Sequence, residues 1–314
     1  METSLDVEYA HTVAPGAKIV LVDTPATDGG SNESQVMRAE EYVVKKHLGA
    51  IISQSFSSAE AGYRSEALLQ PLRAGISAAH GAGVTILAAS GDAGATTIAT
   101  SGSGFYTRRV VHWAASEPWV TGVGGTELIQ SGGSYRWVAW NDTYDVAVGK
   151  NWSGTKQPTP HSTGGKSALI GRPSFQNGVK SVTGASRGVP DIAMSAACNG
   201  AVAVYTSFQP AKVGWSEGCG TSEATPEFVG IVALADQVKG RSLGWLNPTL
   251  YKLAAEQASG LVNVTSGNNT VSSYSGNKRY TVNGYRARTG YSLVTGVGTI
   301  NASLFVYELA GKNP

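Results

Sequence analysis

A chain of 314 residues with 41 % hydrophobic side chains has the material for a large buried core, and a formal net charge of +2 gives no electrostatic footing for nucleic acid or an anionic membrane surface. No apolar run reaches the roughly 18 residues a membrane-spanning helix needs. Charged residues are only 15 % of the chain, which suits a fold that must survive acid, because protonating its carboxylates leaves few unbalanced cations to repel one another. A neutral, loop-rich secreted protein would show the same composition, and 40 glycines predict many tight turns.

In chain order, Glu2 and Asp6 form an i, i+4 pair that a helix would place on one face, one turn apart. Ala17–Asp23 (AKIVLVD) reads as a buried strand, and Glu33–Leu48 as an amphipathic helix stopped by Gly49. Ala50–Phe56 is a second strand. Ser65–Ala82 is helix-like, with Pro71 near its first turns. Val84–Ala89 is a third strand, ending in Ser90-Gly91-Asp92. Trp119–Gly124 and Ala201–Tyr205 add strands, while Ser131–Ser186, rich in Gly, Ser, Thr and Pro, reads as long surface loops. Glu223–Val238 is a long buried helix with Pro226 expected in its first turn, and the tail after Leu261 is again loop-rich. Strands alternating with helices predict an α/β fold of three layers, a mostly parallel sheet with helices on both faces.

Three local patterns bear chemistry. In Gly220-Thr221-Ser222, a serine at a helix start lies beside free N–H groups that favour negative charge. An ordinary N-cap serine would look the same. Asp92 follows an apolar strand, at the end of the sheet where α/β proteins bind ligands, although Gly-Asp-x-Gly is also plain turn chemistry. In the Glu2/Asp6 pair, two close carboxyls can share a proton and serve as base and then acid. Two solvated acids in a helix's first turn would read identically. None of the five histidines sits in a pattern that marks a catalytic base or a metal ligand. Cys198 and Cys219 are either bridged, a link that would contribute roughly 3 kcal/mol, or two buried thiols. Six N-x-S/T sequons (Asn32, Asn141, Asn151, Asn263, Asn268 and Asn301) permit glycosylation on a secretory route, although no signal peptide is visible.

The ordered set Glu2–Ala17, Ser90–Gly94 and Gly220–Pro226, with Val123–Leu128, Gly164–Gln176 and Arg187–Ala193, resembles the sedolisin family of serine-carboxyl peptidases over nearly the whole chain. The resemblance implies a subtilisin-like fold, a single peptidase catalytic domain over 1–314, and an acid-acting endopeptidase or tripeptidyl peptidase. Its substrates would be peptides or denatured proteins, in an extracellular or acidic compartment. It makes Ser222 the nucleophile, Glu2 the general base and acid, Asp6 the residue that orients Glu2, and a protonated Asp92 the oxyanion donor. Ser55, Ser90, Gly91, Gly220 and Thr221 would line the substrate site. A carboxylate base fits acid, where a histidine of ordinary pKa about 6.5 would already be protonated.

The family's pattern is not followed everywhere. Its catalytic glutamate lies well inside the domain and here is residue 2, so its first strands and propeptide are missing from this sequence, and a separate propeptide segment becomes a candidate partner. The family's calcium site corresponds to Asn263, Val264, Arg288, Gly290 and Ser292, without its two carboxylates, so calcium is expected to bind weakly or not at all. Arg288 is expected either to replace the ion on the same carbonyls or to point to solvent. Two other readings compete. A Ser-His-Asp subtilisin would need an H-G-T histidine and an asparagine in place of Asp92, and a catalytically silent binding fold would not need the complete Glu2, Asp6, Asp92 and Ser222 set.

Overall fold

The computed structural model describes residues 1–24, 33–100, 104–144, 159–208, 213–275 and 278–313. The chain opens with helix α1 (Glu2–Val13), which stops before Pro15, a residue that disfavours helical geometry just ahead of it. Helix α2 (Glu33–Lys45) leads into strand β1 (Ile51–Gln54). The helix-like stretch around Pro71 divides into a 3-10 segment, Glu66–Arg73, and a short helix α3 (Ala74–Gly81). Proline lacks the N–H of a regular α-helical ladder, so the tighter turn takes over there.

Strands β1, β2 (Thr85–Ala89) and β3 (Thr121–Ser131) pair in parallel, with Ile51 opposite Thr85 and Leu87 opposite Thr121. The outer part of β3 folds back antiparallel onto β4 (Ser134–Ala139), and its inner part pairs in parallel with β5 (Ile192–Ser195). All five residues of β2 are buried, as expected of a parallel strand covered on both faces. Alternation along it feeds two cores. Leu87 joins Val123, Ile192 and the apolar stripe Ala224, Phe228, Ile231 and Val232 of the long helix α4 (Thr221–Lys239). Ile86 and Ala88 join Met37, Leu69, Ile76, Ala79 and Trp113 on the opposite face. The result is the expected layering, with helices on both sides of the sheet.

Ala17–Asp23 departs from expectation. It forms no strand among the described residues, and Ile19, Val20 and Leu21 are 38 %, 39 % and 68 % exposed. The stretch 131–186 is more ordered than a set of loops, holding β4, Gly165–Gly171 and Ser186–Val189, while residues 145–158 lie outside the described residues. Pro226 sits at the sixth position of α4, beyond its first turn. The neighbouring Thr225 hydroxyl bonds the Thr221 carbonyl there. Cys198 and Cys219 are bridged, tying the end of the sheet to the segment that enters α4. Of the sequons, Asn32 and Asn151 lie outside the described residues. Asn141 is 4 % exposed with its amide bonded to the Asn268 carbonyl, which leaves it no room for a glycan.

Candidate active site

The site is assembled where the carboxyl ends of the parallel strands meet the start of α4. Strand β2 delivers Ser90-Gly91-Asp92, and the bridged segment delivers Gly220-Thr221-Ser222. The two tripeptides interlock. Asp92 Oδ1 accepts both the Thr221 N–H (2.8 Å) and the Thr221 hydroxyl (2.7 Å). Thr221 Oγ1 in turn accepts the Gly91 N–H at 3.0 Å. Gly220 has φ +107°, and a Cβ there would lie 2.7 Å from Asp92 Oδ2, so only glycine lets the loop close over the carboxyl. A third strap, Thr163, accepts the Ser90 hydroxyl with its carbonyl and the Ala93 N–H with its own hydroxyl. Sequence reasoning did not single out Thr163, since nothing local marks a threonine whose partners lie some 70 positions away.

Ser222 is the second residue of α4 and is half-buried. The Thr221 amide is taken by Asp92, and those of Glu223 and Ala224 by the Gly220 carbonyl. At the first turn of a helix the Ser222 N–H has no intrahelical acceptor, and it points positive charge toward the space beside the hydroxyl. Asp92 as a whole is exposed, while its carboxyl is held against Thr221 and Gly220. Desolvation raises its pKa, the two Thr221 bonds oppose this, and the Glu2 charge adds to the rise.

Helix α1 supplies the other carboxyls. Asp6 Oδ1 accepts the Ser55 hydroxyl at 2.5 Å, from just beyond β1. Burial pushes Asp6 up to about 6, Ser55 holds it down, and Glu2 raises it further. Glu2, at the exposed start of α1, acts electrostatically on both Asp6 and Asp92, so the three acids share one field. No hydrogen bond joins Glu2 to Ser222 among the described residues.

Of the residues expected to line the substrate site, Ser90, Gly91, Gly220 and Thr221 are buried. The Ser90 and Thr221 hydroxyls and the Gly91 N–H bond within the loops, and Ser55 is engaged by Asp6. These residues build the site's walls. Two histidines flank this loop: His161, whose backbone N–H bonds the Asp92 carbonyl at 3.0 Å, and His112, whose ring fills the space a Cβ at Gly91 would need. The His112 nitrogens meet the Ser57 and Thr97 hydroxyls, and burial lowers its pKa to about 4. Both ring nitrogens of His112 are thus engaged by hydroxyls away from Ser222. Arg187 and Asp191 form a fully buried ion pair, with Tyr251 and the Gly122 N–H also bonded to Asp191. That network pins β5 to β3.

In the C-terminal loops, Asn263 Oδ1 accepts the Gly290 N–H at 2.7 Å, and Arg288 is exposed. Ser292 is fully buried, and its hydroxyl faces Thr295 Oγ1 and the Val294 and Thr295 amides. Among the described residues no three Asp, Glu, His or Cys converge as metal ligands. These donors do not fit calcium, which takes six to eight oxygens and favours carboxylates.

A family model described as the subtilase family matches residues 3–277. The chain belongs to the subtilase family. It is 32 % identical to kumamolisin from Bacillus sp. over 299 residues, covering 95 % of this chain and 49 % of that protein. It is 27 % identical to human tripeptidyl-peptidase 1, covering 96 % and 50 %. The chain therefore spans about half the length of these curated relatives. The solved structure of Pseudomonas sedolisin, a serine-carboxyl proteinase complexed with pseudo-iodotyrostatin, matches with a TM-score of 0.76 at 29 % identity, covering 97 % of this chain and 77 % of that one. The motif resemblance to the sedolisins and the subtilisin-like fold thus stand on independent comparisons of sequence and of structure.

Proposed function

We propose that the chain is the catalytic part of an acid-acting serine-carboxyl peptidase. The observation that carries the reading is the interlock of Asp92 with Gly220 and Thr221, which sets a carboxyl of raised pKa beside the N-terminus of the helix whose second residue is Ser222. Ser222 Oγ attacks the scissile carbonyl while Glu2 takes its proton. The developing oxyanion receives hydrogen bonds from the Ser222 N–H and the protonated Asp92 carboxyl. Glu2 returns the proton to the leaving amine, and the C–N bond breaks to give an acyl-enzyme. Water, deprotonated by Glu2, then releases the acid and regenerates Ser222. Asp6, held by Ser55, orients Glu2. Asp92 can donate only when neutral, which ties the oxyanion site to acid.

The substrates are peptides or unfolded proteins, and the working compartment is extracellular or acidic. No described helix is long and apolar enough to cross a membrane. The Asn263–Gly290 and Ser292–Thr295 bonds tie the C-terminal loops through protein groups, and with no carboxylate at these positions chelation is expected to leave stability and activity unchanged.

The test is incubation with a peptide ester at acid pH, followed by intact-mass measurement after rapid quenching. An acyl adduct on the native chain, absent from S222A and slow to form in E2Q, is expected. An adduct that persists in S222A would refute the assignment.

A further inference from the structure

Helix α4 carries a second i, i+4 carboxyl pair, Glu223 and Glu227, immediately after the nucleophile. Glu223 is fully buried, and neither of its oxygens accepts a hydrogen bond of normal geometry. The Ser195 hydroxyl nearby favours the ionised form less than burial disfavours it. Glu227, one turn on, is half-buried. The next residue on this stripe is Gly230, where a Cβ would lie 2.5 Å from Val13 Cβ and 3.3 Å from the Ala10 carbonyl oxygen of α1. Positions 223, 227 and 230 therefore face α1, and the missing side chain at 230 lets the two helices close tightly. From α1, Tyr9 feels both carboxyls and that of Glu8, while its own hydroxyl is spent on the Ala203 carbonyl. Tyr9, Asp6 and Glu2 share one face of α1 at helical spacing. Of the titratable groups on α1, Tyr9 couples to both carboxyls, Asp6 and Glu2 lie further along the same face, Glu8 acts on Tyr9, and His11 in the last turn is exposed. Among the described residues no charged group from the other elements packed on α4 acts on either glutamate. All of these α1 groups become neutral or negative on deprotonation.

We infer that Glu223 and Glu227 are positioning residues for the catalytic acids: as neutral carboxylic acids they allow α1 to dock on α4, and their ionisation releases α1 and with it Glu2 and Asp6. Two carboxylates in one largely desolvated seam, neither ion-paired to a cation among the described residues, repel each other and are poorly rehydrated while the helices stay closed. Burial pushes Glu223 up to about 8 and Glu227 to about 7, and Glu227 adds to the rise of Glu223. Raised folded-state values mean that docking is fully stable below the ordinary carboxyl value of 4.5 and is lost as pH rises through 7 and 8. Acid dependence would then have a source separate from the chemistry of Asp92. Only the catalytic consequence rests on the peptidase reading; the docking itself needs no substrate.

The experiment uses the full chain carrying S222A, so that self-cleavage plays no part. Amide hydrogen exchange in α1 and the melting temperature are followed from pH 4 to 8, with and without E223Q/E227Q. The parent should lose about tenfold or more of its α1 protection, and roughly 5 °C or more in Tm, between pH 5 and 8. The double variant, which keeps shape but cannot ionise, should lose much less and retain docked α1 at pH 8. If the double variant does not fold, E227Q alone, at the less buried position, should move the midpoint upward. Protection of α1 that is flat with pH in the parent, or falls identically in parent and variants, would overturn the inference. An inactive chain that shows the predicted exchange would leave it standing and would count against the peptidase reading instead.

Discussion

On the Ser222 side of the site, the proposed nucleophile side, Asp92, Gly91, Gly220 and Thr221 hold one another through backbone amides and a buried hydroxyl, and the Cys198–Cys219 bridge closes the segment behind them. On the Glu2/Asp6 side, the proposed acid–base side, α1 has one fully buried side chain, Leu5. Asp6 is held by a single hydroxyl, and Glu2 is exposed. The first side is over-determined, since several bonds would have to fail together before Ser222 moved. The second rests on helix packing across a seam that contains acids. On the proposed mechanism, this arrangement would keep Ser222 and Asp92 in place under most conditions and make the position of Glu2 conditional.

Substitutions can break that contrast at several points. Ser222→Ala should abolish cleavage, by at least about 10³-fold in kcat, without a change in melting temperature. Asp92→Asn removes the carboxyl that Thr221 and Gly220 enclose and should cost about 10²–10³-fold in kcat with little effect on KM, as expected for an interaction made mainly in the transition state. Gly230→Ala touches neither side's chemistry. Its Cβ meets Val13, α1 must shift, and a displacement near 1 Å at Glu2 should cost on the order of 10² in kcat. Ser55→Ala removes the bond to Asp6 and should lower kcat/KM by roughly 3- to 10-fold. It should also raise the pKa of Asp6, because Ser55 holds it down. Should Gly230→Ala prove silent while Ser55→Ala is severe, packing would not be what holds the acid–base side.

The nucleophile side was the more legible in sequence for the same reason that it is the more rigid. Glycine, threonine and serine at a helix start, and Ser-Gly-Asp after an apolar strand, are local devices whose spacing survives in the text of the chain. The seam was not legible. Glu223 reads as a helix first-turn acid favoured by the dipole, and only the packing of α1 shows it to be fully buried. Ala17–Asp23 misled in the opposite sense. Its composition is that of a strand, but a strand exists only with a hydrogen-bonded neighbour, and none is present among the described residues. The β3–β4 hairpin was readable and missed. Gly132 and Gly133 both have positive φ, which is the requirement of a two-residue hairpin turn, and Gly-Gly between two apolar-containing runs announces it. Arg187 and Asp191, four apart, gave no sign of their fully buried pairing, which depends on Tyr251 and Gly122 from distant segments.

The most direct test of the catalytic assignment is the pH dependence of cleavage of a denatured protein substrate from pH 2 to 8, with S222A measured in parallel. Ser222 working with Glu2, Asp6 and a neutral Asp92 predicts activity in acid that falls steeply toward pH 7 and is absent from S222A at every pH. Full activity at pH 7, or activity that survives in S222A, would contradict it.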